Sequence, residues 1–381
     1  MVYKYKQSNS FRLRQERYNL HMYNFRLVFC IFALGIIGIL VINSAAEGYA
    51  RKQMYGFIAG LIMMFVISHI DYNKIVKFSW PMYAINILML AAVRVMGTTV
   101  NGATRWFGIG GFRFQPSELS KILMVIIFAY YISDQKERIN HLPTLIRIGL
   151  IYAVPLMLII AQPDLSTTLV FVFLFCVLMF IAGLSYKIIG GVLLLAVPSI
   201  VLLFWYIQQP FQVLLKDYQV DRLMSFLNPS DYLLTTYYQQ YNSIMAIGSG
   251  MLTGKGLNNN TITSVKGGDF ISEPQTDFIF AVVGEELGFI GCCVVIGLLA
   301  FIIAECLIIA ANARDLCGKM LASGIAAVIT FQTFVNIGVA TGIIANTGLP
   351  LPFVSYGLSS LLSNFIGIGL VLNIGLQRNR R

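Results

Sequence analysis

The chain has 381 residues, of which 57% are hydrophobic and only 12% charged, and its mean hydropathy is +0.75. This balance excludes a soluble enzyme and points to an all-α, polytopic membrane protein, because apolar runs recur near the roughly 20 residues a helix needs to cross a bilayer. The net charge of +10 needs no nucleic acid to explain it, since a basic tail beside the first span serves as inner-leaflet anchor and topology signal.

In chain order, residues 1–24 form that tail, and the first apolar run is too long and starts too late to be a cleavable signal. Ten spans are expected, near 25–43, 54–70, 78–95, 117–133, 145–161, 164–182, 188–207, 277–309, 319–344 and 355–376. The eighth is too long for a perpendicular crossing and must tilt, kink or project beyond the lipid. Together they make one transmembrane domain over 25–377, with a second basic tail at 378–381. Most connections are short, but 96–116 and 208–275 are not, and long ordered loops usually carry function. The longer loop contains a glycine-rich piece, IGSGMLTGKGLNNN (247–260), and lacks strong alternation. Short or re-entrant helices and turns are expected there rather than a sheet, and no strand-rich domain anywhere.

Lys and Arg concentrate in the two tails and in alternate connections (Lys74, Lys77, Lys136, Arg138, Arg147, Lys187, Arg314, Lys319), which sets both termini in the cytoplasm. The outer segments then hold Arg51, Lys52, Arg94, Arg105, Arg113, Lys216, Arg222, Lys255 and Lys266. The six cysteines fall in spans or on the inner side, so no outer disulfide is needed. The three histidines lie near the inner surface, and no His/Cys/carboxylate grouping has metal-site spacing.

Three carboxylates follow a proline at the expected start of a span: Glu118 after Pro116, Asp164 after Pro163 and Asp277 after Pro274. Proline suits a first helical turn, and the helix dipole stabilises an acid there. Any one of them reads equally well as a simple capping acid. By the expected topology all three face outward, beside the long loop, and that favours a site. Lys121 follows Glu118 at i+3, close enough to pair, and a lysine inside the membrane is costly unless paired or serving a ligand. Arg105, Arg113, Lys255 and Lys266 add positive charge outside, against the usual bias. Carboxylates, cations and lipid access together suit a lipid-linked pyrophosphate: cations offset its charge, and a carboxylate takes the proton of an attacking sugar hydroxyl. No histidine reaches that face to build a Ser-His-Asp set. GSGMLTGKG ends in glycine where a P-loop needs Ser or Thr, which excludes an ATPase. In EPQTDFIFAVVGEELG (273–288), a continuous helix would put Glu285 about 80° and Glu286 about 180° round from Asp277. Glu285 is then expected to line the cavity below Asp277, and Glu286 to pair with a neighbouring helix.

NGATRWFGIGGFRFQPSELSK (101–121), AQPDLSTTL (161–169), IGSGMLTGKG (247–256), EPQTDFIFAVVGEELG and NTGLPLPFVSYG (346–357) together resemble the SEDS family of shape, elongation, division and sporulation proteins, RodA, FtsW and SpoVE among them. The likeness covers nearly the whole chain, with the motifs in order. It implies a ten-span, inverting peptidoglycan glycosyltransferase that polymerises lipid II into β-1,4 glycan at the outer face of the bacterial plasma membrane. A class B penicillin-binding protein transpeptidase is the implied partner. The family's essential aspartate corresponds to Asp277, and Arg105, Glu118, Lys121 and Asp164 match polar positions lining its central cavity. Lys255 and Glu285 complete the expected substrate-binding set. The resemblance is greater to the elongation branch, RodA, than to the division branch, with a division or sporulation role as the alternative. A lipid II flippase and a structural scaffold are the rival classes. No cofactor is assigned, although a divalent cation such as Mg is compatible with a pyrophosphate leaving group. One departure is SYGLSS (355–360), where Leu358 replaces a usual glycine and puts close backbone packing in question.

Overall fold

The computed structural model describes residues 23–100, 103–109, 112–209, 212–213, 217–258, 264, 268 and 270–377. The basic segments 1–22 and 378–381, with Lys216 and Lys266, lie outside the described residues. Among the described residues thirteen α-helices follow one another: α1 Phe25–Ala45, α2 Glu47–Ser68, α3 Tyr72–Val76, α4 Ser79–Met96, α5 Pro116–Asp134, α6 Leu142–Ile160, α7 Leu165–Ile181, α8 Tyr186–Ile207, α9 Asp217–Leu227, α10 Tyr238–Ser249, α11 Ile279–Ala311, α12 Leu316–Ala340 and α13 Leu358–Leu376. Among the described residues, nine helices are long and apolar enough to cross a membrane, and α7 is a shorter apolar helix of 17 residues.

Short polar side chains set several helix starts by accepting from otherwise unpaired backbone N–H groups. Asn24 caps α1 through Leu27 N, Asp164 caps α7 through Thr167 N, and Asp315 caps α12 through Gly318 N. The core lies around α12 and α13, which bury most of their residues, with α12 packed on α5, α7 and α11 and α13 packed on α2. At the other extreme, α8 buries only Ile207 and turns an apolar surface outward along its length.

The α2–α13 contact resolves the departure at Leu358. A Cβ on Gly56 of α2 would stand 2.3 Å from Leu358 Cδ2, and one on Gly60 would stand 2.1 Å from Phe365 Cδ2. Close packing is kept because the missing side chain sits on the facing helix.

Residues 98–114 contain a small antiparallel sheet that was not expected: β1 Thr98–Val100, β2 Ala103–Ile109 and β3 Phe112–Phe114, in the order β1-β2-β3. Thr98 faces Trp106 and Phe107 faces Phe114, β-branched and aromatic residues suited to a pleated surface. The long loop is, as expected, short helices and turns: α9, a 3-10 turn at Pro229–Tyr232, and α10. Gln240 donates to Val339 O and Ile344 O, and Ser243 to Ala340 O, which seats α10 on the end of α12.

The eighth span differs from expectation in two ways. Its helix begins at Ile279, so Asp277 stands in the turn ahead of it, and it breaks at Gly288 (φ 67°, ψ −165°). The glycine-rich turn repairs this break. Lys255 N and Gly256 N donate to the carbonyls of Glu285 and Glu286, and Phe289 N and Ile290 N donate to Met251 and Leu252. A Cβ on Gly254 would come within 2.1 Å of Glu286 O, so the turn can approach only without a side chain.

The candidate active site

Three ion pairs occur among the described residues, and every expected substrate-binding residue belongs to one of them. Near the start of α5, Lys121 Nζ donates to both oxygens of Glu118 at 2.8 Å, with both side chains buried. Arg105 of β2 donates through Nε to Gln162 O at 3.2 Å and through Nη2 to Pro163 O, while its Nη1 lies 3.7 Å from Asp164 Oδ1. The sheet is thereby pinned to the α6–α7 junction. Lys255 Nζ donates to Glu285 Oε1 at 2.7 Å beside the Gly288 break. Arg105 and Lys255 keep 20% and 22% of their side-chain surface exposed, against 2% for Lys121, so only the first two retain solvent access.

Asp277 is different. Half-buried in its turn, its carboxylate takes no hydrogen bond from a described residue, although its own main chain is held tightly. Three consecutive carbonyls are bonded: Gln275 O by Tyr356 N at 2.8 Å, Thr276 O by Ser355 Oγ at 2.6 Å, and Asp277 O by Asn336 Nδ2 at 2.8 Å. Gly348 (φ 76°) lies so close that a Cβ there would stand 3.1 Å from Asp277 Oδ2. Burial pushes the Asp277 carboxyl up to about 6, Arg222 of α9 pulls against it, and Glu273 adds to it.

The α12–α13 loop gathers the parts at one end of the bundle. Ser166 at the start of α7 donates to Thr347 O, next to Gly348. Gln115 N, just ahead of α5, donates to Ser359 Oγ of α13, and Gln115 Nε2 reaches Asp164 Oδ2 at 3.5 Å. Asp277, Arg105–Asp164 and Glu118–Lys121 therefore border one region. Lys255–Glu285 stands further along α11, at the break.

Two expectations need correction. Of the three carboxylates expected in first helical turns, only Glu118 lies in one; Asp164 is an N-cap and Asp277 precedes its helix. The angular relation between Asp277 and Glu285 fails with it, because no continuous helix joins them, and Glu285 is buried against Lys255 rather than open below Asp277. Glu286 does meet a neighbouring helix, accepting from Ser44 Oγ of α1. Glu305, the polar group near the opposite end of α11, accepts from Asn24 Nδ2 at 2.7 Å and so fastens the start of α1. Sequence reasoning missed Asn336, Ser355 and Gly348; the last two lie in the quoted NTGLPLPFVSYG motif, which was given no task. Among the described residues no group of three or more His, Cys, Asp or Glu side chains could hold a metal ion. The carboxylates here are committed to ion pairs or stand singly, a poor fit to a cation site.

The model of the cell cycle protein family of FtsW, RodA and SpoVE matches residues 17–380. The chain belongs to this family. It is 35% identical over 355 residues to the peptidoglycan glycosyltransferase MrdB of Escherichia coli (strain K12), covering 92% of this chain and 93% of that protein. It is 34% identical over 366 residues to the probable peptidoglycan glycosyltransferase FtsW of Acinetobacter baylyi, with 91% and 88% covered. Among solved structures, the rod shape determining protein RodA of Thermus thermophilus aligns with a TM-score of 0.68 at 27% identity, over 94% of this chain and 98% of that one. A chain from work on the structural coordination of polymerization and crosslinking by a peptidoglycan synthase complex aligns with a TM-score of 0.76 at 29% identity, over 93% and 97%. Like these family members in fold, the chain is a multi-pass membrane protein.

Proposed function

We propose that this family member is a peptidoglycan glycosyltransferase that polymerises lipid II into β-1,4-linked glycan at the outer face of the plasma membrane. Its role is cell elongation, alongside a class B penicillin-binding protein, and both termini are cytoplasmic. The observation that carries the reading is the Asp277 carboxylate, which takes no hydrogen bond or ion pair from a described residue at the mouth of α11 and is shifted towards neutrality, while the other expected site charges are paired. A general base works best with a pKa near the working pH.

In the reaction, Asp277 accepts the proton of the acceptor sugar's 4-hydroxyl while that oxygen attacks the donor's anomeric carbon. The bond to undecaprenyl pyrophosphate breaks in the same displacement, the α-linked donor becomes a β-linkage, and the pyrophosphate leaves with the bonding electrons. Arg105 offsets its charge from the rim. Lys121 acts through its pair with Glu118, holding the start of α5 in register with the α6–α7 junction that Arg105 and Asp164 fix. Similarity to MrdB and to a chain of a peptidoglycan synthase complex supports the substrate class and the transpeptidase partner.

The test is a polymerisation assay with labelled lipid II and purified protein in detergent. Wild type is expected to make glycan, and Asp277→Ala, folded by its melting profile, to lose about 100- to 10,000-fold in rate. Full glycan synthesis by Asp277→Ala would remove the base, and translocation in liposomes without polymer would replace the enzyme with a flippase.

A further inference from the structure

We propose that Asn336 is a positioning residue for Asp277, and that the α12–α13 loop completes the mount that aims the carboxylate. The proposal rests on the reading of Asp277 as the base. Hydrogen bonds to a carboxylate stabilise its anion and weaken it as a base. A base that must stay basic is therefore better held through its main chain. That is the arrangement around Asp277: the carbonyls of 275, 276 and 277 are all bonded, while the carboxylate takes no bond from a described residue.

Asn336 makes the central connection. It is 1% exposed on the deeply buried α12, and its Nδ2 donates both to Asp277 O at 2.8 Å and to Leu349 O at 2.7 Å. One amide thus staples the turn before α11 to the α12–α13 loop. Two further contacts close the mount. Ser355 Oγ accepts from Leu351 N at 2.8 Å while donating to Thr276 O, and Gly348 (φ 76°) approaches Oδ2 so closely that a Cβ there would stand 3.1 Å away, tighter than ordinary contact. Supporting groups on a rigid helix define a reactive atom more closely than groups on a free loop. Among the described residues, the charged groups acting on the carboxylate are Arg222 from α9 and Glu273 from its own turn, and neither belongs to the mount.

The experiment measures kcat and KM for lipid II against pH in the full-length purified protein, with thermal unfolding alongside. Asn336→Ala is expected to lower kcat about 100-fold, as a misplacement of about 1 Å does, with little change in KM. Its acid limb should move to lower pH, because a loosened turn admits water to the carboxylate. Asn336→Asp keeps the shape but sets a carboxylate against two carbonyls, so it should lose kcat and move the limb to higher pH. A folded Asn336→Ala protein with wild-type kcat and acid limb, or with only a raised KM, overturns the proposal. If that variant does not fold, Ser355→Ala removes one of the three carbonyl bonds and is read by the same split between kcat and KM. An inactive Asp277→Ala with a wild-type Asn336→Ala overturns the positioning role alone. A fully active Asp277→Ala overturns the base and its mount together.

Discussion

The first turn of α5 and the turn ahead of α11 handle their acids in opposite ways. Glu118 is closed off: both oxygens are taken by Lys121, and neither side chain retains appreciable surface. Around Asp277 the carbonyls of 275, 276 and 277 are all bonded, while its carboxylate takes no hydrogen bond from a described residue. Burial with a partner turns a charge into structure, because attraction and hydrogen bonds offset desolvation. Burial without one turns it into chemistry, because the group's proton affinity rises towards the working pH. Position near the membrane surface does not distinguish the two acids; their partners do.

Breaking the closed pair should give the largest stability effect. Lys121→Met leaves Glu118 buried beside apolar neighbours and should cost about 3–5 kcal/mol, seen as a large fall in melting temperature in detergent. Adding Glu118→Leu removes the stranded acid and should restore most of that stability, since apolar replacements for a buried pair are often neutral. Polymerisation should stay low in the double variant, because the charges that register α5 are gone. A single variant as stable as wild type would mean that Glu118 is not closed off.

The open carboxylate is probed by pH. Its ordinary value of 3.8 is raised to about 6, so the proton-accepting form predominates only above that value. Turnover should rise with pH through about 6 and fall about tenfold per unit well below it. Arg222 favours the anion, so Arg222→Gln should shift this acid limb to higher pH. A limb near 4, or one that Arg222→Gln moves downward, would contradict the open, buried state of Asp277.

Much of this was legible in the sequence, for identifiable reasons. Apolar runs dictate spans because lipid leaves the backbone only its own helix to bond with, and the observed helices fall close to the expected ones. The pairing of Glu118 with Lys121 followed from i+3 spacing, a purely local relation. The sheet at 98–114 was missed although its β-branched and aromatic residues favour strands, because the segment was read as a loop between spans. The break at Gly288 was hidden because its cause lies far off in sequence. Residues 251–256 supply both the donors (Lys255 N, Gly256 N) and the acceptors (Met251 O, Leu252 O) that let α11 open, and a helical period cannot show that. Asn336 was invisible for the same reason. An asparagine inside an apolar helix announces a polar contact, but not that the contact is the main chain of Asp277, 59 residues earlier.

Lys255 offers the gentlest test of the same contrast, since its pair with Glu285 falls between the closed acid and the open one. Glu285 is buried but Lys255 is partly exposed, so solvent screens the attraction. The turn that carries Lys255 is also held independently, by the donors of Lys255 N and Gly256 N to the carbonyls across the break. Lys255→Gln keeps a side-chain donor within reach of Glu285 and leaves both main-chain bonds intact. The expected loss is about 1 kcal/mol, a shift of a few degrees in melting temperature, with polymerisation lowered only modestly. A collapse in activity without loss of stability would instead place Lys255 directly on the pyrophosphate, beside Arg105, and would move the Gly288 break from scaffold to binding site.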